Sequence, residues 1–145
     1  MSYISQHTNR IGKKFTIPWL SLEPGMVVEV SYRKLPDKNG IRQVKTYLML
    51  VMHPGKWGGV KHTHCLKMEN VSISVIKYLV KTYGVIDTKS LQKVRRINLP
   101  LLDIGNPKYF YLNEIKGESK FEDTYRTLIL GSLLTIRAID YNFEQ

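Results

Sequence analysis

Three histidines, His53, His62 and His64, fall within twelve residues, and three imidazoles are enough to hold a zinc ion. As strands of a hairpin turning near Lys56 and Trp57, however, they do not converge. His62 would lie opposite a residue near Val51, His64 opposite one near Met49, and His53 near Val60. His62 and His64 are two apart, share a face and could supply two ligands. The competing reading is ordinary polar strand histidines held by hydrogen bonds. Cys65, the only cysteine, points to the other face. That argues against a Cys–His nucleophilic pair and for a small buried apolar side chain. A single cysteine excludes an intramolecular disulfide and a zinc site built on several cysteines, and suits a reducing compartment. No metal or cofactor is expected.

The carboxylates Glu114, Glu118, Glu122 and Asp123 are the candidates for acid–base work, but they crowd beside Lys116 and Lys120 in a polar connection and read as a solvated face. No nucleophile elbow, Walker glycine pattern or dinucleotide-binding glycine pattern occurs. Gly55, Gly58 and Gly59 form a turn into a strand, where a phosphate loop needs a helix N-terminus. No catalytic residue is nominated, and the chain is expected not to be an enzyme.

The basic residues carry the stronger signal. Residues 1–100 hold 17 Lys and Arg against 5 Asp and Glu, and residues 101–145 hold 5 against 7, within a net charge of +10. A segregated excess of this size recruits polyanions or an acidic protein surface. Arg10, Lys13, Lys14, Arg33, Lys34, Lys38, Arg42 and Lys45 accumulate early, with Tyr3, Phe15, Trp19 and Tyr32 among them. Cations release counterions from phosphates and aromatics stack on exposed bases. The plainer alternative is that Phe15, Trp19 and Tyr32 are core and the lysines only solubilise. The candidate partner- or nucleic-acid-binding set is Arg10, Lys13, Lys14, Trp19, Arg33, Lys34, Arg42, Lys45, Arg95 and Arg96.

These residues need a scaffold. At 145 residues and 43% hydrophobic content, one domain can bury a core. Residues 1–20 read as an extended basic arm anchored by Ile17-Pro-Trp-Leu20, and residues 21–145 as a single α+β domain. Glu23-Pro24-Gly25 turns into a strand over Met26–Arg33. Leu35–Gly40 is a loop, and Lys45–His53 is a strand. Its run Tyr47–Met52, apolar on both faces, belongs in the middle of a sheet or barrel. Pro54–Gly59 turns the chain, and Val60–Met68 returns. Asn70 or Ser72 caps a helix carrying Val75, Ile76, Leu79, Val80 and Tyr83, with Gly84 as its stop. Asp87 or Thr88 caps a second helix through Leu91, Val94 and Ile97, ending at Pro100 and exposing Lys93, Arg95 and Arg96. Tyr109–Leu112, Thr124–Leu130 and Leu133–Tyr141 are strands, with Lys116–Asp123 a charged loop or helical turn and a turn at Gly131-Ser132. The expected fold is α+β: a small antiparallel SH3-like β-barrel with two inserted helices and a basic N-terminal arm. No signal peptide or membrane-spanning stretch is expected.

The run Leu22-Glu-Pro-Gly-Met-Val-Val-Glu-Val-Ser-Tyr-Arg33 resembles small virion-associated proteins of large contractile-tailed bacteriophages. These open with a Pro-Gly turn into a strand ending in Tyr, then a lysine-containing loop. The apolar strand Tyr47–Met52 and the run Gly58-Gly-Val-Lys-His-Thr-His-Cys-Leu66 follow the same order. His64 and Leu66 match the family's His and Leu, and Cys65 stands in place of its aromatic. Tyr125-Arg-Thr127 resembles its closing strand entry. The resemblance implies a structural or accessory protein of a tailed-phage particle, in the neck, tail, baseplate or at a DNA end. Its partners would be other virion or assembly proteins, with DNA as a further candidate. The chain would be made in the host cytoplasm and located in the virion, without a membrane partner, in a homo-oligomer if the particle's symmetry requires it. In that reading Arg10, Lys13, Lys14 and Trp19 of the arm order on a neighbouring subunit. The alternative is a basic nucleic-acid-binding regulatory protein using the arm, the Arg33–Lys45 loop and Arg95-Arg96. A minor alternative rests on similarity to the barrel of plasmid-maintenance endoribonuclease toxins, with Arg42 and Thr63 nominated for RNA cleavage.

Overall fold

The computed structural model describes residues 2–57, 60–89, 94–99, 115 and 121–144. The strands are β1 Ile11–Thr16, β2 Val27–Arg33, β3 Val44–Trp57, β4 Val60–Lys67, β5 Val85–Asp87, β6 Arg95–Ile97, β7 Tyr125–Ile129 and β8 Leu133–Tyr141. The α-helices are α1 Ile4–His7, α2 Ile73–Tyr83 and α3 Phe121–Thr124. Six strands form one antiparallel sheet in the order β1-β8-β2-β3-β4-β7, and β5 pairs with β6. The fold is α+β and mainly β.

Apolar alternation explains the position of β3. Met49 and Val51 enter one buried cluster, with Val28, Val30, Cys65, Leu128, Ile136 and Ala138. Leu50 and Met52 enter the other, with Leu66, Ile76, Leu79, Ile139 and Tyr141. A strand covered on both faces must be internal, and β3 lies between β2 and β4. On the second face α2 is the cover. Its Ser72 side chain accepts from the Val75 N–H, Ile76 and Leu79 face the sheet, and Gly84 at φ 82° ends it.

The sheet curls strongly. Flat, β7 and β8 would lie four strand spacings apart, about 19 Å. The turn Leu130–Ser132 that joins them is a single 3₁₀ turn, which advances roughly 2 Å per residue. Only a curled sheet brings the end of β7 to the start of β8. The expected barrel is nonetheless not closed: among the described residues β1 and β7 remain its edges.

Two further expectations are corrected. The N-terminal segment is not an extended arm. Ile11–Thr16 pairs with β8, with Phe15 opposite Ala138, and Ile17 N–H donates to Ile136 O at 3.0 Å. His7 is fully buried, its Nε2 2.6 Å from Val71 O and its Nδ1 2.7 Å from the Tyr141 hydroxyl. Where it is described, the expected second helix is strand: Arg95–Ile97 pairs with Val85–Asp87, while 90–93 and 100 lie outside the described residues. The spacing of Val94 and Ile97 mimics a helix face, but the two residues serve different clusters, as opposite faces of an extended chain do. The Tyr109–Leu112 strand also lies outside the described residues.

The Pro24-Gly25 turn ties these parts together. Gly25 N–H donates to Val51 O at 2.7 Å, Val51 N–H to Met26 O at 2.8 Å, and Ile97 N–H to Gly25 O at 3.1 Å. Gly25 has φ 87°, and a Cβ there would sit 1.9 Å from Ile97 O. Gly25→Ala therefore combines backbone strain with a clash against main chain, whereas Gly40 (φ 78°) has open space around it. In denaturant unfolding, Gly25→Ala is expected to cost about 3 kcal/mol or more and Gly40→Ala about 1 kcal/mol. Equal costs would contradict the close approach.

His7 generates a pH dependence. Burial lowers its pKa, with the nearby Arg10 charge acting in the same direction against hydrogen bonds to Val71 and Met68. The unfolded chain then binds the proton more tightly than the folded one. Its contribution to stability is complete above the ordinary histidine value of about 6.5 and is lost as pH falls below it toward the folded value. Melting temperatures measured from pH 7.5 downward should show a shallower decline for His7→Gln than for the wild type. Parallel curves would exclude His7 as the source.

Candidate nucleic-acid and partner interface

The structure divides the sequence-predicted basic residues into engaged and available groups. Lys14 Nζ lies 2.7 Å from Glu29 Oε2, and Glu29 also faces Arg137 at 3.8 Å. Arg95 pairs with Glu144 at 2.8 Å, and Arg10 donates to Asn142 O at 3.0 Å. Arg96 is structural. Its side chain is only 12% exposed, Nη1 donates to Pro24 O at 2.9 Å, and Nε lies 3.3 Å from Glu23 Oε1, an ion pair without hydrogen-bond alignment. It clamps the turn that β6 approaches. Trp19 is half-buried against the cluster that holds Met49 and Val51. Lys13 is exposed on the edge strand β1.

Arg33, Lys34, Arg42 and Lys45 gather where β2 gives way to β3. Lys34 N–H donates to Gln43 O at 2.9 Å and Arg42 Nε to Lys34 O at 3.1 Å, which closes the loop on itself. Asp37 Oδ1 accepts from the Asn39 and Ile41 N–H groups, so its carboxylate serves the loop's own turn. Among the described residues no carboxylate pairs with Arg33, Lys34, Arg42 or Lys45.

Beside this loop the curl leaves a cleft of about 520 Å³, lined by Tyr32–Leu35, Arg126–Ile129, Ser132 and Leu133. It is apolar, through Leu35, Leu128, Ile129 and Leu133, and carries three cations, Arg33, Lys34 and Arg126. Arg126 Nη1 donates to Glu122 O and Tyr125 O at 2.9 and 2.7 Å, which aims the guanidinium without neutralising it. Tyr32 stacks on Tyr47 with ring centroids 5.8 Å apart, and Lys67 sits over the Tyr47 ring at 4.7 Å. Burial raises the Tyr32 pKa, helped by Tyr47 and opposed by the Arg126 charge. Sequence reasoning missed Arg126 and Tyr47. Tyr47 was available from alternation, because it is directly opposite Val30 and so diagonal to Tyr32. Arg126 has no local signal, since only the curl brings β7 to the end of β2.

The histidine cluster is also resolved. The chain turns two residues later than expected, so His53 is opposite His64 and Gly55 opposite His62, with a bulge between Val51 and His53. Among the described residues no three His, Cys, Asp or Glu side chains come together as a metal site. His64 is buried, stacked on Tyr125, with the Tyr125 and Thr127 hydroxyls on its Nδ1. Cys65 is fully buried in the cluster with Met49 and Val51, and burial pushes its thiol pKa up, which removes the thiolate needed of a nucleophile. Thr63 is fully buried and opposite Pro54, roughly 30 Å along β3 from the Arg42 loop, so the two do not form one site. Glu122 and Asp123 are exposed on α3, and Glu114 and Glu118 lie outside the described residues.

Comparison with protein-family models, with curated proteins and with solved structures gives no match. The candidate interface therefore rests on its geometry.

The division of cations is testable by stability. Arg96→Met leaves Glu23 half of a largely buried pair and is expected to cost about 2 kcal/mol. Arg33→Ala should fall within about 0.5 kcal/mol of the wild type. Chemical denaturation of both variants checks the contrast.

Proposed function

We propose that the protein is a non-enzymatic structural or accessory component of a tailed-phage particle that seats on an acidic surface of a neighbouring protein through the β2–β3 loop and the adjoining cleft. The observation that carries this reading is the trio Arg33, Lys34 and Arg126, which among the described residues has no carboxylate partner and surrounds an apolar cleft. Cations left unneutralised beside exposed apolar side chains fit an external partner better than solubility alone. Leu35 at 87% and Ile41 at 60% exposure extend the apolar surface along the same loop. The contact moves from residues 1–20, which the sheet absorbs, to this loop. The same reading takes the curled sheet as an SH3-like barrel left open along one seam, supported by the short turn between β7 and β8.

Nucleic-acid binding is the second reading, favoured by the stacked Tyr32–Tyr47 pair beside these cations. One pair of measurements separates the two. Particles purified from the lysate in which the chain is made should contain it, and Arg33→Glu with Lys34→Glu should leave the chain in the soluble fraction. A wild-type chain absent from sedimenting particles would overturn the assembly reading. Anisotropy titrations of labelled DNA and RNA at several salt concentrations test the other, which requires a steep salt slope that falls by about one for each cation removed.

A further inference from the structure

The cleft walls are two runs of four consecutive residues, Tyr32–Leu35 and Arg126–Ile129. Successive side chains of an extended segment point to opposite sides, so a wall made of consecutive residues presents its main chain as well. Both walls have an unused edge among the described residues. Among the described residues β7 pairs only with β4, and no strand lies against the other edge of Arg126–Ile129. β8 covers β2 only as far as Tyr32, opposite Leu133. Beyond that point Arg33 pairs with Val44, and Lys34 bonds to Gln43, on the β3 side alone.

We infer that this seam is a docking groove for an extended acidic peptide segment of a partner protein, which adds a strand to the β7 edge. Its main chain pairs with β7, its apolar side chains lie against Leu128, Leu133 and Tyr32, and its carboxylates meet Arg33, Lys34 and Arg126. Charge complementarity selects an acidic occupant over a basic one. The open strand edge selects a peptide over a nucleic acid, because phosphodiesters carry no N–H donors for the β7 carbonyls and would set anionic oxygens against them. The inference rests on the assembly reading above and names the chemistry of its partner.

The probe is a capped peptide of roughly six residues with Glu and Val on both of its side-chain rows, long enough to span both walls. Titrated into the isotopically labelled full chain, it should give saturable amide shifts centred on residues 126–129 and 32–35. Affinity should fall about tenfold or more with Arg33→Glu plus Lys34→Glu, and similarly when alternate amides of the peptide are N-methylated. Equal binding of the methylated peptide would overturn strand addition. So would shifts elsewhere, absence of binding at millimolar concentrations, or tighter binding at the seam by a Lys–Val peptide or by oligothymidylate. The failures are distinguishable. If the peptide does not bind while the doubly substituted chain still fails to enter particles, the assembly reading stands and this mode of contact falls. If that chain enters particles normally, both fall.

Discussion

The backbone at Gly25 is the constraint on which the rest of the molecule depends. The turn is held by β3 through Val51 on one side and by β6 through Ile97 on the other, with no space for a side chain between them. Because the approach is main chain to main chain, neither side can yield by a rotamer change. Arg96 then spans the turn from Pro24 O to the Glu23 carboxylate and fixes the same geometry from outside. Val94 and Ile97, either side of that arginine pair, enter the two clusters and couple the β5–β6 pair to both faces of the sheet.

This arrangement decides which positive charges are engaged by carboxylates within the fold. Carboxylates are few in residues 1–100, and several of them serve the fold: Glu23 with Arg96, Glu29 with Lys14 and Arg137, Asp37 with its own loop. Among the described residues no carboxylate pairs with the cations of the loop that begins at Arg33. Its charge is therefore a property of the surface, close to the opening left by the curl. The apolar lining of that opening and the strand edges beside it, unpaired among the described residues, share one cause, a sheet that curls without closing.

Much of the secondary structure was legible. Alternation located β2, β4, β7 and β8 within a residue or two, the doubly apolar run placed β3 in the centre, and Ser72 and Gly84 bounded α2. These signals are local, set by side-chain period and by capping chemistry. The N-terminal arm and the second helix were misread for the opposite reason. Lys13 and Lys14 look solvent-bound because β1 is an edge strand with a polar outer face, and Val94 and Ile97 look helical because their spacing suits either structure. The hairpin turn lies two residues later than expected, which moves each cross-strand partner by four, because the glycines between Pro54 and Gly59 allow more than one turn; His64 therefore faces His53 and not a residue near Met49.

The sequence by itself determined an α+β chain with a central two-faced strand, a buried cysteine and a segregated positive charge, because composition, period and capping act over a few residues. It also marked Arg33, Lys34, Arg42 and Lys45 as candidates. Only the tertiary structure decided that Lys14, Arg95 and Arg96 are engaged within the fold and that Arg126 joins Arg33 and Lys34 at one cleft. The last of these depends on the curl of the sheet, which brings together positions some ninety residues apart, and contacts across the chain at such distances leave no periodic trace in it.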